Sequence, residues 1–145
     1  MKLRLIATLL TLAAVAVAVL AVAGCGGSGG EAAALNGTAW GLTEWTLSSL
    51  DPSDFKITAA FADGKISGKS AVNNYSGPYT EGPGAAFSVG ELISTMMAGP
   101  EPDMRAEAAY LKLLAEAKSF RIDGDSLTLF DPNGIESLIF KAVER

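Results

Sequence analysis

The chain has no histidine, and a single cysteine, Cys25, in 145 residues. The first absence excludes Ser-His-Asp and Cys-His catalysis, and with it the imidazole ligands of ordinary zinc and haem sites. The second excludes a disulfide within the chain, so whatever folds here is held by burial and hydrogen bonding. Cations are scarce as well: 11 Lys and Arg stand against 16 Asp and Glu, a net charge of −5. They form no cluster, so the basic patch that phosphate tracking needs is missing and nucleic acid is not an expected partner. Carboxylates are left as the only general acid/base groups, and no catalytic set, metal or cofactor is expected from them.

What is present begins with an apolar run from Leu5 to Ala23 behind Lys2 and Arg4, ending Leu20-Ala21-Val22-Ala23-Gly24-Cys25. A positive start, an apolar middle and small residues before a cysteine fit a secreted precursor, and the last six residues resemble the lipobox of bacterial lipoproteins. In such proteins the thiol is lipidated, the chain is cut before it, and the cysteine becomes the first residue. An uncleaved membrane span is the competing reading, since the run is long for a signal. Gly26-Gly27-Ser28-Gly29-Gly30 follows, a flexible tether and not the charged stop that a retained span prefers. The expected organisation is a signal peptide over 1–24, a lipidated Cys25 with tether over 25–34, and one domain over 35–145. Loss of Lys2 and Arg4 leaves 9 cations against the 16 acids, a net charge of −7, which disfavours flat adhesion to anionic headgroups. The membrane is then a partner through lipid alone, in the cell membrane or an outer membrane, with the domain outside the cytoplasm.

Within the domain the pattern is mostly of strands. Trp40, Leu42, Trp45 and Leu47 supply alternating apolar positions, and Ser49 to Asp54 reads as a loop. Asp63-Gly64 between Phe55–Phe61 and Lys65–Gly68 is a hairpin signal, because such a turn needs positive φ. Pro78 places its segment at a sheet edge or a bulge, since it cannot donate to a ladder. Pro100, Pro102 and two acids open a helix, in which Met104, Ala108, Leu111, Leu114, Ala115 and Lys118 form the inward stripe. Arg105, Glu107, Lys112 and Glu116 fall on its outer face. Ser119–Ile122, Ser126–Phe130 and Ile135–Val143 read as a three-stranded meander. The fold class that follows is α+β: a small, curved, barrel-like antiparallel sheet of about seven or eight strands with one inserted helix, expected as a monomer.

These residues resemble the META domain family, also called HslJ-like or DUF306. The likeness is carried by Leu35-Asn36-Gly37-Thr38-Ala39-Trp40, by Ile66-Ser67-Gly68, and by Asn73-Asn74-Tyr75-Ser76-Gly77-Pro78-Tyr79. Ser94 to Pro100 and Ile122-Asp123-Gly124-Asp125-Ser126-Leu127-Thr128-Leu129 complete it. The resemblance implies a small α+β fold and, often, a lipoprotein linked with heat shock or stress rather than with a defined reaction. Family members often carry cysteines where this chain has Val72 and Gly99. Their joint absence implies that, where present, the two are partners.

Asn73, Asn74, Tyr75 and Tyr79 form the candidate binding surface, able to offer amides and phenols to a sugar, peptide or partner strand. The structural alternative has the asparagines satisfying backbone in a bulge and the tyrosines filling the barrel end. Trp40 and Trp45 read as core. Met96 and Met97 read as gap-fillers before they read as a binding surface. Lys69 and Ser70 point to opposite faces as strand neighbours and are discounted as a dyad. Asp123, Asp125, Asp131 and Asn133 have the oxygens for calcium but not the spacing, and turn-making explains them. A binding or stress-protection module is the leading expectation, its partner an envelope protein or small ligand. A carboxylate-dependent hydrolase and an inhibitor of another envelope protein are the alternatives. Were the helix stripe as assigned, Leu111→Ala would cost about 2–5 kcal/mol.

Overall fold

The computed structural model of the chain describes residues 34–46 and 49–144. The apolar run over 5–23, Cys25, the glycine tether and Leu47 lie outside the described residues. The element order is β1 (Ala39–Trp45), β2 (Thr58–Ala62), β3 (Lys65–Lys69), β4 (Asn74–Gly82), β5 (Ala86–Val89), β6 (Ile93–Ser94), α1 (Glu101–Glu116), β7 (Ser119–Asp123), β8 (Ser126–Phe130) and β9 (Glu136–Ala142). The antiparallel ladder runs β3-β2-β1-β9-β8-β7-β5-β4, and a β3–β4 pairing closes it into an eight-stranded barrel. Strand β6 lies outside the ring, paired only with β4.

Local chemistry accounts for most of this. Asp63 (φ 52°) and Gly64 (φ 73°) both take positive φ, the two-residue turn whose twist suits flanking strands, and it joins β2 to β3. Curvature comes from a bulge in β1, where the pairing with β9 shifts register between Leu42 and Glu44. It also comes from Gly68, whose hydrogen faces the Thr58 carbonyl so closely that a Cβ there would overlap it. Inward positions fill the barrel with Trp40, Leu42, Ile57, Phe61, Ile66, Phe87, Leu127, Leu129, Leu138 and Phe140. Phe61 and Tyr79 meet edge to face at 4.9 Å between centroids, and Tyr110 meets Phe140 in the same way at 6.4 Å.

The two ends of the barrel differ. The incoming chain docks where β2 ends: Leu35 is fully buried, Gly37 N donates to Phe61 O (2.7 Å), and Asp63 N donates to Asn36 Oδ1 (2.9 Å). Helix α1 docks where β2 begins, with Tyr110 beside Tyr75, whose hydroxyl donates to Thr58 O (2.9 Å). At about 3.4 Å per strand residue the five residues of β2 separate these ends by about 14 Å. The seam most in need of cover is β5–β7, joined by the Ala86–Ser119 pair and a Phe87 N to Lys118 O bond of 2.9 Å.

Two expectations about elements are corrected. Pro78 lies inside β4, in the barrel wall and not on an outer edge. It is accommodated because it falls where β4 changes neighbours, between its pairing with β5 (Tyr79–Gly82) and with β6 (Tyr75–Ser76). The helix stripe is rotated from the expected one. Ala106, Tyr110, Leu113, Leu114 and Ala117 are buried, while Ala108, Ala115 and Lys118 are exposed, Met104 is 38% exposed and Leu111 is half-buried. Tyr110 is the residue that decides the register, because its ring and hydroxyl both find partners inside. Accordingly, Leu114→Ala should lower unfolding free energy by about 2–5 kcal/mol, and Leu111→Ala by less than half as much. Urea melts of the two variants would show an inverted order if the stripe were centred on Leu111.

Candidate functional site

The connection from β3 to β4 is built around one carboxylate. Ser70 Oγ (2.7 Å), Asn73 N (2.7 Å) and Val72 N (3.3 Å) donate to Glu107 Oε2, and Asn73 Nδ2 (2.8 Å) donates to Oε1. Glu107 is only 8% exposed, and none of the salt bridges among the described residues includes it. Burial by itself raises the carboxyl pKa. Bonds from the side chain and main chain of Asn73, from Ser70 and from Val72 outweigh it, and the pKa falls below its ordinary value. The loop so held contains Ala71 at φ 99°, a left-handed conformation that a residue with a Cβ keeps only when its surroundings fix it.

Asn73 carries the bonding onward. Its Oδ1 accepts from Thr95 Oγ1 (2.8 Å) and Met97 N (2.7 Å), and its Nδ2 also reaches Met97 O (3.2 Å). Its carbonyl accepts from Ser70 N (2.8 Å). Every polar atom of this side chain is used, and at 3% exposure it presents nothing to solvent. One residue thus ties the helix, the β3–β4 connection and the segment before the helix together.

The four residues of the expected binding surface are divided: Asn74 and Tyr75 line one depression, Tyr79 lines another, and Asn73 faces Glu107. Asn73, Tyr75 and Tyr79 are buried, and Asn74 alone is exposed. Tyr75 spends its one hydrogen on Thr58 O, so the Tyr110 hydroxyl, 2.6 Å away, is the donor between the two phenols. Burial pushes both phenols above the usual tyrosine range. Tyr79 is raised by burial and then by the neighbouring carboxylates Glu81 and Asp63. With Asn36 and Gly64 these line a shallow depression of ≈ 280 Å³ where the chain enters the barrel, and there Leu35 N donates to Glu81 Oε1 (3.2 Å).

A second depression of ≈ 410 Å³ lies between the start of β4 and β6, lined by Asn74, Tyr75, Ser76, Ile93, Ser94 and Thr95. Met96 and Met97, expected to fill gaps, stand in solvent at 98% and 52% exposure. Trp40 is buried and donates its indole N–H to Thr38 Oγ1 (2.7 Å). Trp45 is half-buried and donates to Leu50 O (2.7 Å). Ser70 points inward to Glu107 while Lys69 is exposed, as strand alternation requires. Asp131 accepts from the main chain of Asn133 (2.8 Å) and Ile135 (2.9 Å), and Asp125 bonds Lys141 (3.1 Å). Among the described residues no three potential metal-ligating side chains converge.

Sequence reasoning missed Glu107, which was placed on the outer face. A helical wheel centred on Tyr110, Leu113 and Leu114 brings it to the edge of the buried stripe, and that was the available signal.

The family model of the META domain matches residues 33–144. Among solved structures the chain is similar to an NMR structure of a protein from Burkholderia xenovorans, at 28% identity and a TM-score of 0.64. That likeness covers 77% of this chain and 85% of the other. A crystal structure of a DUF4847 family protein from Bacteroides vulgatus shares the fold at 12% identity and a TM-score of 0.58, over 77% of this chain and 96% of that one. No curated protein matches the chain.

Glu107→Gln leaves an amide N–H facing a donor, so it should cost about 1–3 kcal/mol at neutral pH. The native carboxylate, with its lowered pKa, contributes stability that is complete above the ordinary carboxylate range and lost as pH falls through the folded value. Denaturant titrations at several pH values should show the gap between native and variant closing in acid; a constant gap would contradict the assignment. A Cβ built on Gly99 lies 3.5 Å from Val72 Cβ, against about 3.5–4.5 Å in disulfides. Val72→Cys with Gly99→Cys should therefore close a bridge on oxidation, raising stability by about 2–4 kcal/mol. Thiol titration in a Cys25→Ser background would reveal two free thiols if the geometry were otherwise.

Proposed function

The chain belongs to the META domain family, and on that premise we propose that it is a lipid-anchored module of the bacterial envelope that works by binding rather than by catalysis. The single observation that carries the second half is the state of its best-placed acid. Glu107 is the buried carboxylate of the domain, and it is committed to four donors and held ionised. A general acid or base needs a carboxyl left free to exchange a proton, with a pKa moved toward the working pH and not away from it. The other strongly bonded acids, Asp51 and Asp131, cap exposed turns through Ser53 and Ile135. The hydrolase alternative would have to draw on Asp63 and Glu81, which line the shallow depression beside Tyr79.

Anchoring is supported by the residues before Cys25 and by the placing of the chain's entrance. Leu35 is fully buried where the chain enters the barrel, so the domain begins directly after the glycine-rich stretch that would tether it. Among the described residues no helix is long and apolar enough to cross a membrane. Two or more acyl chains, at roughly 0.8 kcal/mol per buried methylene, hold such a domain stably where one would not.

Cys25→Ser should leave an uncleaved precursor that takes up no labelled palmitate, while the native chain is labelled and sediments with membranes. Palmitate in the variant, or unmodified native chain of full length in the cytosol, would sink the anchoring half. A pull-down of the native chain from envelope extract should retain a partner.

A further inference from the structure

We infer that Met96 and Met97 are a reversible oxidation site, where two-electron oxidants such as hypochlorous acid turn exposed thioethers into sulfoxides that thiol-dependent methionine sulfoxide reductases turn back. The inference goes beyond the binding reading above and rests on it only for the compartment in which the oxidant is met.

The sulfurs of the described residues stand at one corner of the fold. Asn73 Nδ2 bonds both Met97 O (3.2 Å) and Glu107 Oε1 (2.8 Å), which sets the methionine pair against the turn of α1 that carries Glu107. Met104 is three residues before Glu107 on that helix and so its neighbour on the helix surface. Exposure grades the three sulfurs: Met96 is 98% exposed, Met97 52% and Met104 38%. An oxidant must reach the sulfur lone pair, so the pair reacts first, with Met96 ahead of Met97. Competing side chains are shielded. The described residues hold no cysteine or histidine; Trp40, Tyr75, Tyr79 and Tyr110 are buried, and Trp45 is half-buried.

The chemistry balances without a cofactor. The sulfur lone pair takes the electrophilic chlorine of hypochlorous acid and hydroxide leaves; water then adds its oxygen to sulfur as chloride departs. Sulfur gives up two electrons, chlorine is reduced to chloride, and the net products are sulfoxide, chloride and a proton. In the return step two reductase thiols take the oxygen away as water and end as a disulfide.

What separates this pair from methionines whose oxidation is damage is the small cost of the product. A sulfoxide in a core is a polar group without a partner, whereas Met96 has almost no packing to lose. The main chain beside it is held independently of both thioethers. Met97 N donates to Asn73 Oδ1 (2.7 Å), Met97 O accepts from Asn73 Nδ2, and Glu107 fixes Asn73. Oxygen added to either sulfur leaves those bonds in place. From Thr95 to Pro100 the chain is in neither helix nor strand, so a reductase reaches the sulfoxide without unfolding an element.

The test uses the full native chain in zwitterionic micelles, treated with substoichiometric and then excess hypochlorous acid and mapped by peptide mass spectrometry. Met1 and Cys25, outside the described residues, are read on their own peptides. Within the domain one added oxygen should appear first at Met96 and next at Met97, with Met104 about tenfold slower than Met96 and the tryptophans and tyrosines intact until the pair is consumed. The thermal melt of the chain oxidised at both should match the native one, and reductases for both sulfoxide epimers should restore the original mass. In cells given sublethal hypochlorous acid, sulfoxide at 96 and 97 should rise and then be erased during recovery. Met96→Leu with Met97→Leu, both at exposed positions, should keep the native melt and lose the two earliest oxygens taken up within the domain. The inference is overturned if Met104 or Trp45 reacts ahead of the pair, if oxidation of the pair lowers the melt, or if the sulfoxides resist the reductases or persist in cells. Unchanged early uptake in the double variant overturns it equally. Palmitate labelling and the pull-down are read separately, so failure of the anchored binding module and failure of the oxidation site are distinguishable.

Discussion

An ionised carboxylate buried without a cation is costly, by several kcal/mol of lost hydration. Glu107 is stable where it is because four donors from one short stretch, Ser70 to Asn73, converge on its two oxygens. Hydrogen bonds to a charged group contribute about 1.5–3 kcal/mol each, which is enough to offset that loss and to hold Ala71 in its left-handed conformation. The dependence is mutual. Without the carboxylate the loop amides have no acceptor, and without the loop the charge has no solvent to replace.

That interaction is also what closes the barrel at its helix end. The β3–β4 pairing completes the ring, and the loop between those strands is the one that Glu107 grips from α1. Tyr110, one turn on, reaches the interior through Tyr75, whose hydroxyl continues to Thr58 at the start of β2. The same helix thereby fixes three neighbouring strands, and its Leu113 and Leu114 cover the interior beside the thinly bonded β5–β7 seam. The Tyr75 hydroxyl there donates to the Thr58 carbonyl, which a leucine could not do.

Much of the fold was legible in the sequence, for physical reasons that can be named. The Asp63-Gly64 hairpin, the C-terminal meander and the helix start all rest on local backbone chemistry, so they were readable without tertiary knowledge. Where tertiary contacts decide, local reading went astray. Alanines at 106, 108, 115 and 117 are equally apolar on a wheel, and only docking picks the buried pair. Pro78 reads as an edge residue until one sees that β4 changes neighbours beside it. The Asn73–Tyr79 cluster was visible as a concentration of polar and aromatic groups. Its use was not, because whether an amide faces water or a buried carboxylate depends on a residue 34 positions away.

The polar and apolar halves of the 93–97 segment do opposite things for one reason. Thr95 and the main chain of Met97 are consumed by Asn73, which forces the backbone to run along β4 as a short strand. The large apolar side chains left in solvent along this stretch are Ile93, Met96 and Met97. Their exposure is therefore not slack in the packing but a result of the same bonding that buries Asn73. Turning them inward would break two hydrogen bonds to a side chain that has no water to replace them.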